Sequence, residues 1–400
     1  MLLLYPKQQH FMIRGKKMGA NSDVLQLSRK LIKCRSVTPK NDGAIEIVEK
    51  ELLRAGFECF RVDRGGICNL FARWGEKNHK KTFGFNGHTD VVPEGDVFSW
   101  SCDPFGGVIK NGLLYGRGAA DMKTAVAAFV VAAKEVSEEI FFDGALVIML
   151  TGDEEADATD GTVAILDWMK ANDESMSVCL VGEPTCSEAM GDTIKIGRRG
   201  SLSAVITLQG VQGHSAYPER ALNPLPIVAK LVSRITDHEL DQGTDYFDPS
   251  TLTITSIDTG NTATNVIPQS CEVMLNIRFN DAHSSGSLLN WLESEAQKIE
   301  NESRVKVSIK AKVSGESFIT KPGELSNLAL SAIYNIIGAE AKLSTSGGTS
   351  DARFVREHCP VVEFGLLGNT LHQVDEHVEV EHVDQLKIIY KSMLINYLVE

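Results

Sequence analysis

The sequence lacks an excess of basic charge, a paired-cysteine framework and a long apolar run, and each absence closes off a class of protein. Forty Lys and Arg stand against 53 Asp and Glu, a net charge of −13 over 400 residues. That sign opposes the counterion release that drives binding to phosphate backbones, so neither nucleic acid nor an anionic membrane surface is expected as a partner. It leaves room for an anionic small molecule, because a few arginines in a cleft set the local field. The eight cysteines, at 34, 59, 68, 102, 179, 186, 271 and 359, include no CxxC pair. They lack the short spacings of a structural zinc site or a disulfide scaffold, and reduced thiols in a cytoplasmic protein are the expectation. No apolar run approaches the ~20 residues of a membrane span. Met1 to Tyr5 is apolar but precedes lysines instead of following them, which is the wrong order and length for a signal-peptide core. Residues 1–20 read as a loose extension, with Met12 and Met18 as alternative starts.

With 43% hydrophobic and 23% charged residues, the chain can bury a sizeable core and is long enough for two domains. Over 22–56, Val24, Leu25, Leu27, Leu31 and Ile32, then Ile45, Val48, Leu52 and Leu53, recur at helical spacing and predict two amphipathic helices. Residues 82–86 and 145–151 are short apolar runs that predict strands, and the Ala-rich stretch 124–136 between them predicts a buried helix. This alternation points to an α/β fold with an open sheet. After about Arg199 the pattern changes: 202–209, 252–257 and 271–279 read as strands, with helices over 225–235 and 288–299. Two helices on an antiparallel sheet make a small α+β domain inserted into the larger one. From about Ser314 the chain returns to the first domain, through a helix over 328–337 and a strand at 361–364. The expected division is 1–20 extension, 21–199 catalytic domain, 200–313 inserted domain and 314–400 catalytic domain again.

The chemistry-bearing residues fall where a strand gives way to a loop, the edge at which open α/β sheets bind ligands. His88 and Asp90 form H-T-D after the first strand; Asp121 precedes the Ala-rich helix; Glu154 and Glu155 follow the 145–151 strand; Glu183 follows a strand-like run at 177–181; His372 follows the 361–364 strand. A lone histidine is more often a hydrogen-bonded core or surface group than a ligand, and Glu-Glu in a loop is usually a solvated pair. Five candidates at successive strand ends, each beside glycine or a small residue, point instead to a metal site. Imidazole and carboxylate are ordinary zinc ligands, and a shared carboxylate can bridge two ions. Asp90, two residues beyond His88, is placed to accept the ring proton of His88.

The segments G-H-T-D-V-V-P-E-G (87–95), Y-G-R-G-A-A-D-M-K (115–123), T-G-D-E-E (151–155), G-E-P-T (182–185), G-R-R-G-S-L (197–202), G-V-Q-G-H-S-A-Y-P (210–218), N-V-I-P (265–268) and S-G-G-T-S-D-A-R-F (346–354) resemble, in order, the motif set of the succinyl-diaminopimelate desuccinylases. These belong to the di-zinc aminoacylase, acetylornithine deacetylase and carboxypeptidase group. The resemblance implies a di-zinc peptidase-like catalytic domain with an inserted dimerisation (lid) domain, and a cytoplasmic homodimer. It implies two Zn(2+) per subunit, with Co(2+) able to substitute: His88 and Glu183 on one ion, Glu155 and His372 on the other, Asp121 bridging. Glu154 becomes the general base, Asp90 joins the catalytic residues through its contact with His88, and His214 becomes the oxyanion donor, supplied by the partner subunit. Arg198, Tyr217, Asn265, Arg278, Gly348 and Thr349 match substrate-binding positions; of the adjacent Arg198 and Arg199, one is expected to be a solvated surface residue. One departure stands out. Asn369 lies three residues ahead of His372, with Gly368 where many members carry asparagine.

The activity so implied is hydrolysis of N-succinyl-LL-2,6-diaminopimelate to succinate and LL-2,6-diaminopimelate, in lysine and diaminopimelate biosynthesis. Acetylornithine deacetylase, or a general N-acyl amino acid hydrolase, is the alternative within the same mechanism. A succinyl group carries a second carboxylate that needs a cation, which favours Arg278 and the desuccinylase. A non-catalytic dimeric binding protein of the same fold is the remote alternative, and such a protein would be expected to have lost the base or a ligand.

Overall fold

The computed structural model describes residues 22–140 and 142–399; the expected extension over 1–20 lies outside them. The strand expected at 145–151 shows why a central sheet forms. Every residue of Ala145–Thr151 is buried, but its side chains divide: Leu146, Ile148 and Leu150 enter one core, Val147 and Met149 another. A strand covered on both faces reads as a continuous apolar run because successive side chains point to opposite sides. The sheet has eight strands, in the order Glu58–Arg61, Leu70–Trp74, Ala145–Thr151, Thr82–His88, Val178–Val181, Val361–Glu363, Thr193–Lys195 and Lys342–Ser344. Its centre is parallel and its first strands pair antiparallel.

The larger core lies under helices Asp23–Lys33, Ala44–Arg54, Lys123–Glu139, Glu324–Ile337 and Val380–Val399. Both expected N-terminal helices form, and their periodic residues are buried except Leu53, which is exposed. The helix Lys123–Glu139 is buried over most of its length, as its alanines require. The opposite face of the sheet is covered by Thr162–Ala171 and Ala352–Val355.

A second sheet, all antiparallel, runs Thr251–Asp258, Ser270–Phe279, Gly200–Gln209 and Lys306–Gly315. It has its own core: Leu202, Ile206, Val273, Leu275 and Ile277 pack against Val228, Leu231 and Ile235 of Leu225–Thr236, and against Leu288, Leu292 and Ile299 of Ser285–Ser303. Only one face of this sheet is covered. The other carries Ser203, Met274 and Glu272 to solvent. Its fourth strand, Lys306–Gly315, alternates Val307 and Ile309 with lysines, and that lysine density hides it from a reading based on apolar content.

Leu275 is buried at the centre of this second core. Leu275→Ala is therefore expected to lower stability by about 2–5 kcal/mol, from lost burial plus a residual cavity. Urea denaturation checks this, and a shift under 1 kcal/mol would mean that the core collapses around the gap.

Candidate active site

The parallel strands of the large sheet end at one edge, and their loops bring most of the expected residues together there. His88 is the last residue of Thr82–His88 and is buried. Its Nε2 lies 3.0 Å from Asp121 Oδ1 and 3.7 Å from Glu183 Oε1. His372 Nε2 lies 3.0 Å from Glu155 Oε1 and 3.4 Å from the other Asp121 oxygen, Oδ2. Asp121 thus stands between two imidazoles, one oxygen toward each. Donor atoms of His88, Asp121 and Glu155, and those of His88, Glu154 and Glu183, form two groups within 4.8 Å that could each hold a metal ion.

The contact expected between His88 and Asp90 differs in detail. His88 Nδ1 is 2.9 Å from the Asp90 backbone carbonyl and 3.6 Å from its carboxylate, so the carbonyl is the closer acceptor. The Asp90 carboxylate instead accepts from the backbone N–H groups of Glu154 (3.3 Å) and Glu155 (3.1 Å). It therefore orients the imidazole through its backbone and the two glutamates through its side chain. His88 lies on the strand and Asp90 just past its end, which turns the carboxylate toward the neighbouring loop.

The electrostatics follow from crowding acids and imidazoles in a buried place. Burial would lower His88, but Asp121, Glu183 and Asp90 hold its imidazolium well above the usual range. His372 is held up to about 10 by hydrogen bonds to Asp121 and Glu155. Burial would raise Asp121, yet the two imidazoles keep it below the ordinary aspartate range. Glu183 is pushed well up, first by burial and then by Asp121; Glu154 is pushed well up by burial and by Glu183. Asp90, fully buried, rises to about 6. Among the described residues Glu183 Oε1 has no hydrogen-bond partner. A buried acceptor without a donor, among carboxylates and imidazoles, suits a divalent cation.

The substrate-side expectations separate into two places. His214 and Tyr217 lie on a short exposed ribbon, Gly213–His214 paired with Val266–Ile267. Asn265 joins them through its carbonyl, which accepts the Ser215 N–H at 3.0 Å. His214 Nδ1 accepts from the Ala216 N–H. Among the described residues, none of its hydrogen bonds reaches the His88 cluster. The second place is the 346–351 loop. Arg278, at the end of Ser270–Phe279, approaches Thr349 Oγ1 at 3.5 Å, and Gly348 has open space around it.

Arg198 and Arg199 correct the expectation that one of them is solvated. Arg198 is buried and its fork is engaged by Glu363 through Nε (2.9 and 3.0 Å) and Nη2; Ser350 Oγ donates to the same carboxylate at 2.7 Å. Arg199 is half-buried, close enough to Arg278 to lower the latter's pKa after burial has done so. Among the described residues neither Arg199 nor Arg278 has a carboxylate within ion-pair distance. Gly347, at φ +104°, leaves room for Arg198, since a Cβ there would lie 2.6 Å from Nη1. Asn369 faces a cavity of about 50 Å³ with Leu113, Leu366, Leu367 and His377, away from these arginines.

Sequence reasoning passed over Glu363 and Glu376. Each is fully buried, and an acid inside the apolar run Val361–Phe364 was a readable sign of a buried partner.

A profile described as peptidase family M20/M25/M40 matches residues 84–396. The chain is 60% identical over 375 residues to a protein of Ruegeria pomeroyi named succinyl-diaminopimelate desuccinylase, covering 94% of this chain and 99% of that one. It is 57% identical, over 94% of this chain and 98% of the other, to a protein of the same name from Roseobacter denitrificans. Among solved structures it is similar to an M20 family metallo-carboxypeptidase of Sulfolobus solfataricus, with TM-score 0.75, 16% identity, and 94% and 99% of the two chains covered. It is also similar to a dinuclear metal-binding peptidase of the M20 family from Bacillus subtilis, with TM-score 0.73, 14% identity, and 94% and 97% covered. On the family match and on relatives this similar over nearly their full length, the chain belongs to peptidase family M20/M25/M40, among the succinyl-diaminopimelate desuccinylases.

Proposed function

We propose that the chain hydrolyses N-succinyl-LL-2,6-diaminopimelate to succinate and LL-2,6-diaminopimelate, in the cytoplasm, using two zinc ions per subunit. The observation that carries the reading is Asp121, with one oxygen toward His88 and the other toward His372. We assign His88 and Glu183 to one ion, His372 and Glu155 to the other, and Asp121 to both; cobalt fits the same donors. Two such ions, when bound, acidify the attacking water and polarise the scissile carbonyl. Glu154, outside the assigned ligands and held by its backbone N–H on Asp90, takes the proton from water and returns it to the departing amine as the amide C–N bond breaks. The unpaired cysteines support a reducing compartment.

Recognition of the succinyl carboxylate falls to Arg278 with Arg199. Arg198 is already engaged by Glu363 and serves to hold the 346–351 loop. A guanidinium without an acid partner is the free cation that a dicarboxylate ligand requires, and it would be left unpaired by an acetyl group. We further assign 200–313 as an inserted dimerisation (lid) domain, with the separate core of its sheet in support. The exposed position of His214 supports its action as oxyanion donor from a partner subunit, in a homodimer.

Metal-stripped protein reloaded with zinc is expected to favour N-succinyl-LL-diaminopimelate over N-acetylornithine by at least ~100-fold in kcat/KM. The reverse preference would leave the hydrolytic mechanism standing and remove the substrate. Arg278→Ala should lower kcat/KM for the succinyl substrate by about 10- to 100-fold, the worth of one hydrogen bond to a charged group; a smaller effect than on the acetyl substrate would argue against the cation's role. Glu154→Gln should keep both ions, by metal analysis, and lose turnover by several orders of magnitude; unchanged activity would remove the general base. At about pH 7.5 the His372 imidazole of the metal-free protein, held up to about 10, is a cation and must lose its proton to ligate. Zinc uptake should therefore release protons, read as a dependence of calorimetric heat on buffer ionisation enthalpy, and the release should fade as pH rises through about 10.

A further inference from the structure

Asp121 and His372 both sit on turns outside regular structure, and His372 adopts φ +59°, a left-handed conformation that histidine enters uncommonly. Something other than local structure must hold them. Behind them lies a buried ion pair between Arg117 and Glu376. Each oxygen of Glu376 accepts twice: Oε1 from the backbone N–H of Ala120 (2.8 Å) and Asp121 (3.1 Å), Oε2 from the N–H of Gly118 (3.0 Å) and from Arg117 Nη1 (2.7 Å). The Glu376 carbonyl accepts the Gly116 N–H at 2.9 Å. Further Nη donors of Arg117 go to carbonyls of two other loops: Gln373 (3.2 Å) and His372 (3.4 Å) on one side, Pro93 (3.3 Å) on the other, while its Nε has no partner among the described residues. The Trp100 ring covers the guanidinium at 5.3 Å.

We propose that the Arg117–Glu376 pair is the positioning device of the metal cluster, fixing the backbones of Asp121 and His372 relative to each other without touching substrate. This rests on the two-ion reading above. A buried ion pair is weak grounds for stability, since apolar residues of the same shape often serve as well. Apolar residues cannot satisfy these amides and carbonyls together. A small shift of the 116–121 turn against the 372–376 segment would change the 3.0 Å and 3.4 Å approaches of Asp121 to its two histidines unequally. The pair therefore sets whether one carboxylate can serve two ions at once.

The test is a zinc titration of metal-stripped protein against a chromophoric chelator. Wild type is expected to take up two ions. Glu376→Gln keeps the size of the side chain, removes half its acceptors and leaves Arg117 unpaired. The uptake step assigned to Asp121, Glu155 and His372 should weaken by about 10- to 100-fold, the other step by less, with kcat restored by excess zinc. Arg117→Lys keeps the ion pair but loses the fork that holds His372 and Gln373, and should weaken the same step more mildly; it decides the matter if Glu376→Gln does not fold. Wild-type affinity at both steps in a folded variant overturns the proposal. So does equal weakening of both steps together with a lowered unfolding midpoint, the signature of a purely structural role. Failure of the wild-type protein to take up two ions would instead overturn the two-ion reading.

Discussion

Four carboxylates and two imidazoles converge on one sheet edge, buried at His88 and Glu183 and open at His372, and the rest of the structure accommodates the resulting repulsion. Asp121 is stabilised as an anion because both histidines point at it, while burial pushes Glu154 and Glu183 toward their neutral forms, helped by Glu183 in the first case and by Asp121 in the second. Such an arrangement is unfavourable in isolation: ionised acids at this spacing repel, and a protonated Glu183 still leaves Oε1 without a donor. Divalent cations remove both difficulties at once. The protein therefore builds the patch from groups fixed by the surrounding backbone, so that repulsion cannot simply spread them apart.

The parallel sheet makes that fixation possible. Strands Thr82–His88, Ala145–Thr151 and Val178–Val181 run side by side in register, so the loops beyond them emerge together and deliver His88, Glu154, Glu155 and Glu183 to one edge. Asp121 and His372 come from turns instead, and need Glu376 and Arg117 behind them. Asp90 does the equivalent for the 154–155 turn. Asp121, His372 and Glu155 are thus backed by buried polar groups whose hydrogen bonds go to backbone, a rigid support that side chains alone would not provide.

Much of this was legible in the sequence because it follows from local pattern. The amphipathic helices near the N-terminus, the buried helix after Asp121, the apolar strands and the strand-end placement of His88, Glu154, Glu155 and Glu183 all depend on residues close together in the chain. The missed features depend on partners far away. Whether Arg198 or Arg199 is free turns on Glu363, which pairs with Arg198 from a distant strand. Glu376 looks like one more acid in a polar stretch until the 116–121 turn folds against it. Lys306–Gly315 and Val380–Val399 were passed over for a related reason: lysines dilute the strand's apolar content, and the helix is buried broadly enough to blur its period.

Arg198 and Arg278 show why residue type alone does not settle recognition. Both are arginines near the same loop, and either could form a fork with a carboxylate. Arg198 meets Glu363, whose carboxylate also accepts from Ser350; an additional anion there would face Glu363 as well. Arg278 donates to the Thr349 hydroxyl and has Arg199 beside it, so two positive charges repel each other across a half-buried surface. An anion between them would relieve that repulsion, and a neutral acyl group would not. The same logic applies to the cluster of acids on the sheet edge with the signs exchanged: an unpaired charge held in position favours a ligand of opposite sign.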